Sequence, residues 1–130
     1  MGKRRFWIRL AAILGLMSVA AGAFAAHAIS DPAAKELLKT AAQYAAIHAL
    51  ATLAWAALFP GTPAGSTWIP ALFFTGTVLF SGSLVALALG APHLVGAITP
   101  FGGLMFIAGW ALFAWRAGLA GNGLDRHSQD

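Results

Sequence analysis

The stretch Gly22-Ala23-Phe24-Ala25-Ala26-His27-Ala28-Ile29 closes the first long apolar run of the chain and places a histidine where that run gives way to polar sequence. Its reading decides the fold. As a peptidase site it would make the preceding run a leader and leave an odd number of apolar segments. As a helix end it makes the run a retained membrane span. For cleavage there is a basic start (Lys3, Arg4, Arg5), an apolar segment, and small residues spaced as Ala23-Phe24-Ala25. Against it stands length. Trp7 to Ile29 measures roughly 34 Å as a helix, enough to cross a hydrocarbon core of about 30 Å. Arg9, near the start, can snorkel to the head groups.

Composition fixes the solvent. Apolar residues make up 59% of the 130-residue chain and charged residues only 9%, and a water-soluble domain of this size could not hide so much apolar surface. The absence of cysteine removes disulfides and thiolate chemistry. The net charge of +4 does not signal nucleic acid, because the cations sit at the chain ends rather than on one face. Lipid is the expected partner.

Working outward, Ser30 to Lys39 is the one charged loop, and Asp31-Pro32 reads as helix cap and first helical residue. An interfacial turn or two then leads into a second span. The expected spans are 7–29, 40–59, 69–89 and 98–116, the last restarted by Thr99-Pro100. They form a four-span membrane domain over residues 1–117, and residues 118–130 read as a polar, disordered cytoplasmic tail. The fold class is therefore all-α: a polytopic antiparallel four-helix transmembrane bundle. Six cations (Lys3, Arg4, Arg5, Arg9, Arg116, Arg126) fall on the side of the termini and two (Lys35, Lys39) on the other. The positive-inside rule puts both termini in the cytoplasm. Trp7, Trp55, Trp68 and Trp115 fall near that boundary, as an aromatic belt would.

Small residues permit close helix approach where lipid removes the hydrophobic drive. Ser18, Gly22 and Ala26 make one stripe, Gly82, Ala86 and Gly90 another, and Ala45, Ala49 and Ala56 share a face of the second span. These stripes pack either within one chain or against another subunit. No Asp or Glu lies inside a span, which argues against cation-coupled transport. The polar groups left are His27, Gln43, Tyr44, His48, Thr52 and the Ser81/Ser83 pair, with Thr75, Thr77 and Thr99.

Tyr44, His48 and Thr52 share one helix face, and His27 with His48 is expected to meet in the outer leaflet. Haem ligation, metal binding, and contact with a quinone or lipid head group are the functional readings. The plainer one is two neutral histidines hydrogen-bonded to neighbouring helices. Two histidines without a third ligand make a weak metal signal, so no cofactor is expected. Ser81 and Ser83 have no base beside them, and helix-to-helix hydrogen bonding is the expectation there.

Several fragments together carry a resemblance: Gly22 to Ala28, then Gln43-Tyr44 with His48-Ala49-Leu50, Phe80-Ser81-Gly82-Ser83-Leu84 with Ala86-Leu87, and Thr99-Pro100-Phe101-Gly102-Gly103 with Gly109-Trp110. In this order, across about Leu10 to Ala117, they resemble the domain of unknown function 423 family, the YgdD/YwdK-like small membrane proteins. Ala25 stands where glycine is expected and Val85 where an aromatic is common. The resemblance implies an uncleaved four-span inner-membrane protein and brings no activity, cofactor or catalytic residue. The leading expectation is a non-enzymatic accessory or scaffold subunit in a homo-oligomer or larger membrane complex, with Gly102 and Gly103 joining the packing residues. The alternatives are a small oligomeric carrier or pore for a neutral or lipid-like molecule, with its path along Tyr44, His48, Thr52 and the Ser81/Ser83 face, and a redox anchor using His27 and His48.

Overall fold

A computed structural model describes residues 2–61 and 67–127, with side chains described as far as residue 121. The apolar runs form α1 (Gly2–Ala28), α2 (Pro32–Leu58), α3 (Trp68–Ala88) and α4 (Thr99–His127), and a 3₁₀ turn over His93–Ala97 precedes α4. Among the described residues there is no strand, and four helical segments are long and apolar enough to cross a membrane.

α2 begins as the sequence indicates. Asp31 is extended, its carboxylate accepts the Ala34 N–H at 2.9 Å, and Pro32 fills the first position, where no N–H is needed. Only residues 29–31 separate α1 from α2, so the two form a tight antiparallel hairpin. The interfacial segment and the second span are one continuous helix. At the far end of that hairpin, Arg4 Nε donates to the Ala56 carbonyl at 2.8 Å. A guanidinium thus meets the last turn of α2, where the helix dipole favours a cation.

Gly90 has a structural duty different from the one expected of it. Its φ of +96° places it in the left-handed region. Its N–H bonds to the Leu87 carbonyl while Ala91 N–H reaches the Ala86 carbonyl, the paired closure of a helix end that favours glycine. It ends α3 rather than packing a helix face. α4 also departs from expectation, because the segment expected as a disordered tail continues the helix through residue 127. Ala117, Leu119 and Ala120 favour helix and no proline follows to stop it. Residues 128–130 lie outside the described residues.

α2 packs against both α1 and α3, and α3 against both α2 and α4. Burial follows the same order, with α2 and α3 the inner pair and α1 and α4 flanking them. Near the α2 C-terminus, Trp55, Ile69, Phe73 and Phe106 form a closed apolar cluster, and Trp7, Leu112 and Phe113 pack against it. Trp55 is therefore a core residue, 2% exposed, and not part of an aromatic belt. Trp68 and Trp115 do project outward.

The seam between α3 and α4 is built on three glycines, two of which receive a ring and one a stretch of backbone. A Cβ added at Gly109 would lie 2.7 Å from the Phe73 ring, one at Gly76 2.6 Å from the Phe106 ring, and one at Gly102 2.5 Å from the Phe80 backbone nitrogen. The three pairs run in antiparallel order; α3 supplies the ring at Gly109 and α4 the ring at Gly76, whereas Gly102 lies against the α3 backbone at Phe80. Of the packing residues read from the sequence, Gly102 belongs to this seam. Gly103 and Gly82 do not, since a Cβ at either meets nothing within 4 Å. A Cβ added at Gly22 would lie 3.9 Å from Ala42 Cβ, and Ser18 one turn earlier is buried, whereas Ala26 is exposed and Ala86 only half-buried.

Candidate functional site

The polar groups of the spans divide into three sets. The first is spent inside the protein. Thr52 Oγ1 donates to the His48 carbonyl at 2.9 Å and Thr77 Oγ1 to the Phe73 carbonyl at 2.8 Å, each folding back on its own helix. Ser81 Oγ crosses from α3 to the Ala41 carbonyl of α2 at 2.7 Å. Ser83 Oγ donates to the Phe80 carbonyl at 2.9 Å and so accepts from Thr99 Oγ1 at 2.6 Å. Thr99, at the start of α4, thereby ties that helix to α3. Each of these bonds satisfies a group for which lipid offers no partner.

The second set is centred on His48, which is 3% exposed. Its Nδ1 lies 2.7 Å from the Tyr44 carbonyl, and the Trp110 indole N–H of α4 donates to its Nε2 at 3.1 Å. Together these bonds require the neutral imidazole with its proton on Nδ1, because Nε2 must present a lone pair to the indole. Phe106 stacks on the same ring at 3.5 Å between centroids with an 8° tilt. Both nitrogens and one face of His48 are occupied by the protein itself.

His27 does not join this centre. It stands exposed in the last turn of α1, beside the turn into α2. Sixteen residues, roughly 24 Å of helical rise, separate Pro32 from His48. The two histidines therefore do not form a ligand pair. The polar path along Tyr44, His48, Thr52 and the serines is not formed either, because Ser81 is spent on the Ala41 carbonyl and Ser83 on the Phe80 carbonyl and Thr99. Among the described residues no group of three or more potential metal ligands converges.

The third set, Gln43 and Tyr44, is exposed on α2. They line a groove of about 430 Å³ between α2 and α4, together with His48, Phe80, Gly103, Phe106 and Trp110. The Tyr44 ring packs on Phe80 at 4.6 Å. No hydrogen bond within the described residues satisfies the Tyr44 hydroxyl or the Gln43 amide. A second groove of about 300 Å³ opens between α1 and α3 over a floor of Ala41, Ala42 and Ala45, with Ser18 and Gly82 on its walls. Its hydroxyls are all internally bonded: Ser18 Oγ turns back to the Gly15 carbonyl at 2.8 Å, and Ser81 is held by Ala41.

Gln43, Tyr44 and His48, singled out in the sequence, line one groove, and Phe80, Phe106 and Trp110, which the sequence did not single out as polar-site neighbours, line it with them. Trp110 carried a usable signal. An indole N–H in mid-span needs an acceptor, and His48 is the one imidazole in the middle of a span.

These features define a small integral membrane protein of four transmembrane helices, tied between helices through Ser81, the Ser83–Thr99 pair and the His48–Trp110 pair. The chain belongs to the family described as Protein of unknown function (DUF423), whose family model matches residues 21–103. It is similar to the UPF0382 inner membrane protein YgdD of Escherichia coli strain K12, at 44% identity over 83% of this chain and 86% of that one. It is also similar to the UPF0382 membrane protein SSP2132 of Staphylococcus saprophyticus, at 38% identity over 83% of this chain and 92% of the relative. SH2409 of Staphylococcus haemolyticus, a third UPF0382 membrane protein, is 38% identical over 83% of this chain and 91% of the relative. No solved structure matches the chain.

Proposed function

We propose that this protein is a non-enzymatic accessory subunit of the bacterial inner membrane that holds a further transmembrane helix against its alanine-floored groove. That helix belongs to a second copy or to a larger complex. The observation that carries this reading is the groove itself. Ala41, Ala42 and Ala45 form a smooth floor, and Gly82 on its wall has open space where a side chain would be. Small surfaces of this kind let helix backbones approach closely in lipid. The non-catalytic part is supported by the saturation of His48, Thr52, Ser81 and Ser83, which leaves no activated nucleophile beside a base. The likeness to YgdD, an inner membrane protein by name, supports the location.

The chain has no cysteine, so single cysteines report cleanly. A cysteine at Met17 or Gly82, oxidised in native membranes, is expected to give a disulfide-linked dimer or, with a cross-linker, one defined partner. Gly82→Leu is expected to abolish both. A monodisperse monomer in mild detergent with no cross-linked product would overturn the assignment.

A further inference from the structure

We infer that the turn joining α3 to α4 is a membrane anchor, seated in the interfacial layer of the leaflet at the end of the bundle opposite the termini, with the lipid surface itself as its partner. It lies on a different part of the molecule from the alanine groove and stands independently of the accessory role.

Level sets the problem. Ser81 of α3 is bonded to the Ala41 carbonyl of α2, which fixes the register of the two antiparallel helices. Counting away from that bond, Ser83 lies level with Lys39, and Leu89 with Ala33. Over this stretch α2 carries the exposed ion pair of Lys39 with Glu36, at 3.2 Å, whereas α3 continues through Val85, Leu87 and Leu89. Leu89 stands six residues beyond Ser83, roughly 9 Å of helical rise, and the turn follows it. No Lys, Arg, Asp or Glu occurs between Trp68 and Trp115, and His93 is the one ionisable side chain there. The apolar belt is therefore taller on the α3–α4 side than on α2.

The backbone says what covers it. Leu94 is 82% exposed, and Leu89, Ile98 and Phe101 are exposed with it. Water would let the N–H groups of such a connection bond solvent; lipid offers them nothing. Here Leu89, Ala91, Val95 and Ile98 donate their N–H groups to carbonyls of the turn or of the end of α3, at 2.9–3.1 Å. Pro92 and Pro100 have no N–H to satisfy. The tight 3₁₀ form of His93–Ala97 lets a short connection meet its own needs. Its surface is also continuous with the lipid-facing side of α4, where Phe101, Leu104 and Ile107 project outward. A docked protein would find no charged rim. Apolar burial alone accounts for the seating, so neither salt nor lipid charge should alter it. The bilayer can follow the taller belt by local thickening, at modest cost.

The chain has no cysteine, so single cysteines report position in the full-length protein. Ser30, exposed in the turn between α1 and α2, serves as the reference. In phosphatidylcholine nanodiscs, Leu94→Cys is expected to react with a charged, membrane-impermeant maleimide at least about ten-fold more slowly than Ser30→Cys, because a charge is costly at the acyl boundary. Neutral N-ethylmaleimide should modify both. A bimane label at Leu94→Cys should be quenched by phosphatidylcholine carrying an acyl-chain nitroxide and not by aqueous iodide. Adding Leu94→Asp to an Ile98→Cys chain should speed the charged reagent at that cysteine, by lifting the turn from lipid. Leu94 is exposed, so its replacement leaves the packing intact. Equal rates at Leu94→Cys and Ser30→Cys, or quenching by iodide, would place the turn in water and overturn the proposal. So would an Ile98→Cys rate unmoved by Leu94→Asp. Protection of Leu94→Cys in native membranes that is lost in nanodiscs would replace lipid by a protein partner, and overturn it as well.

Discussion

The indole N–H of Trp110 reaches Nε2 of His48 across 3.1 Å, joining the middle of α4 to the middle of α2. With the Nδ1 bond to the Tyr44 carbonyl, it fixes the charge and tautomer of the imidazole and the orientation of two groove walls. Trp110→Phe keeps the ring and removes the donor, and is expected to cost about 1 kcal/mol of stability. His48→Leu should cost more, because it also loses the close stacking on Phe106. The double variant should fall short of the sum by roughly 0.6–1.7 kcal/mol, the range of such bonds inside membranes. Unfolding by sodium dodecyl sulfate from mixed micelles measures all three. Strict additivity would mean that the pair contributes no coupling.

The glycine seam predicts a ranking. Gly102→Ala meets backbone, the Phe80 nitrogen at 2.5 Å and the Gly76 carbonyl at 2.8 Å, so neither neighbour can yield without moving a helix. Gly76→Ala meets the Phe106 ring, which a smaller side chain would relieve. Both should destabilise by about 1–3 kcal/mol. Phe106→Leu should recover part of the loss for Gly76→Ala and none for Gly102→Ala. Gly82→Ala, with open space around it, should be neutral or slightly stabilising in the same assay.

Orientation is testable without purification. The bond from Arg4 to the Ala56 carbonyl sets the N-terminal cations beside the end of α2. With six of the eight cations on that side of the chain, both termini are expected in the cytoplasm. A C-terminal green fluorescent protein fusion should fluoresce and a C-terminal alkaline phosphatase fusion should be inactive. The opposite pattern would reverse the orientation.

Much of the fold was legible because lipid leaves few choices. Apolar runs of spanning length must be helices, and Asp31-Pro32 specifies its own helix start. What could not be read was facing. Spacing of four residues shows that Gly82, Ala86 and Gly90 share one side of a helix, but it does not say what lies opposite. The seam at Gly76, Gly102 and Gly109 is visible only once Phe73, Phe80 and Phe106 are placed against it. The expected meeting of His27 and His48 failed for a related reason. Depth was counted from the apolar span near Thr40, whereas α2 begins at Pro32, two turns earlier. That offset carries His48 down to the level of Trp110 and leaves His27 at the surface.

The rings and glycines between α3 and α4 also limit how the molecule can move. The rings of Phe73 and Phe106 each occupy a glycine socket on the opposite helix, so axial sliding by one turn would drive ring against backbone and force the pair apart. α3 and α4 are thus kinematically one body. The α1–α2 hairpin is tied to that body through α2, by the Ser81 hydroxyl on the Ala41 carbonyl, the Trp110–His48 bond and the stacking of Phe106 on His48. α1 touches the pair less, so its outer face is where the molecule can change with least cost.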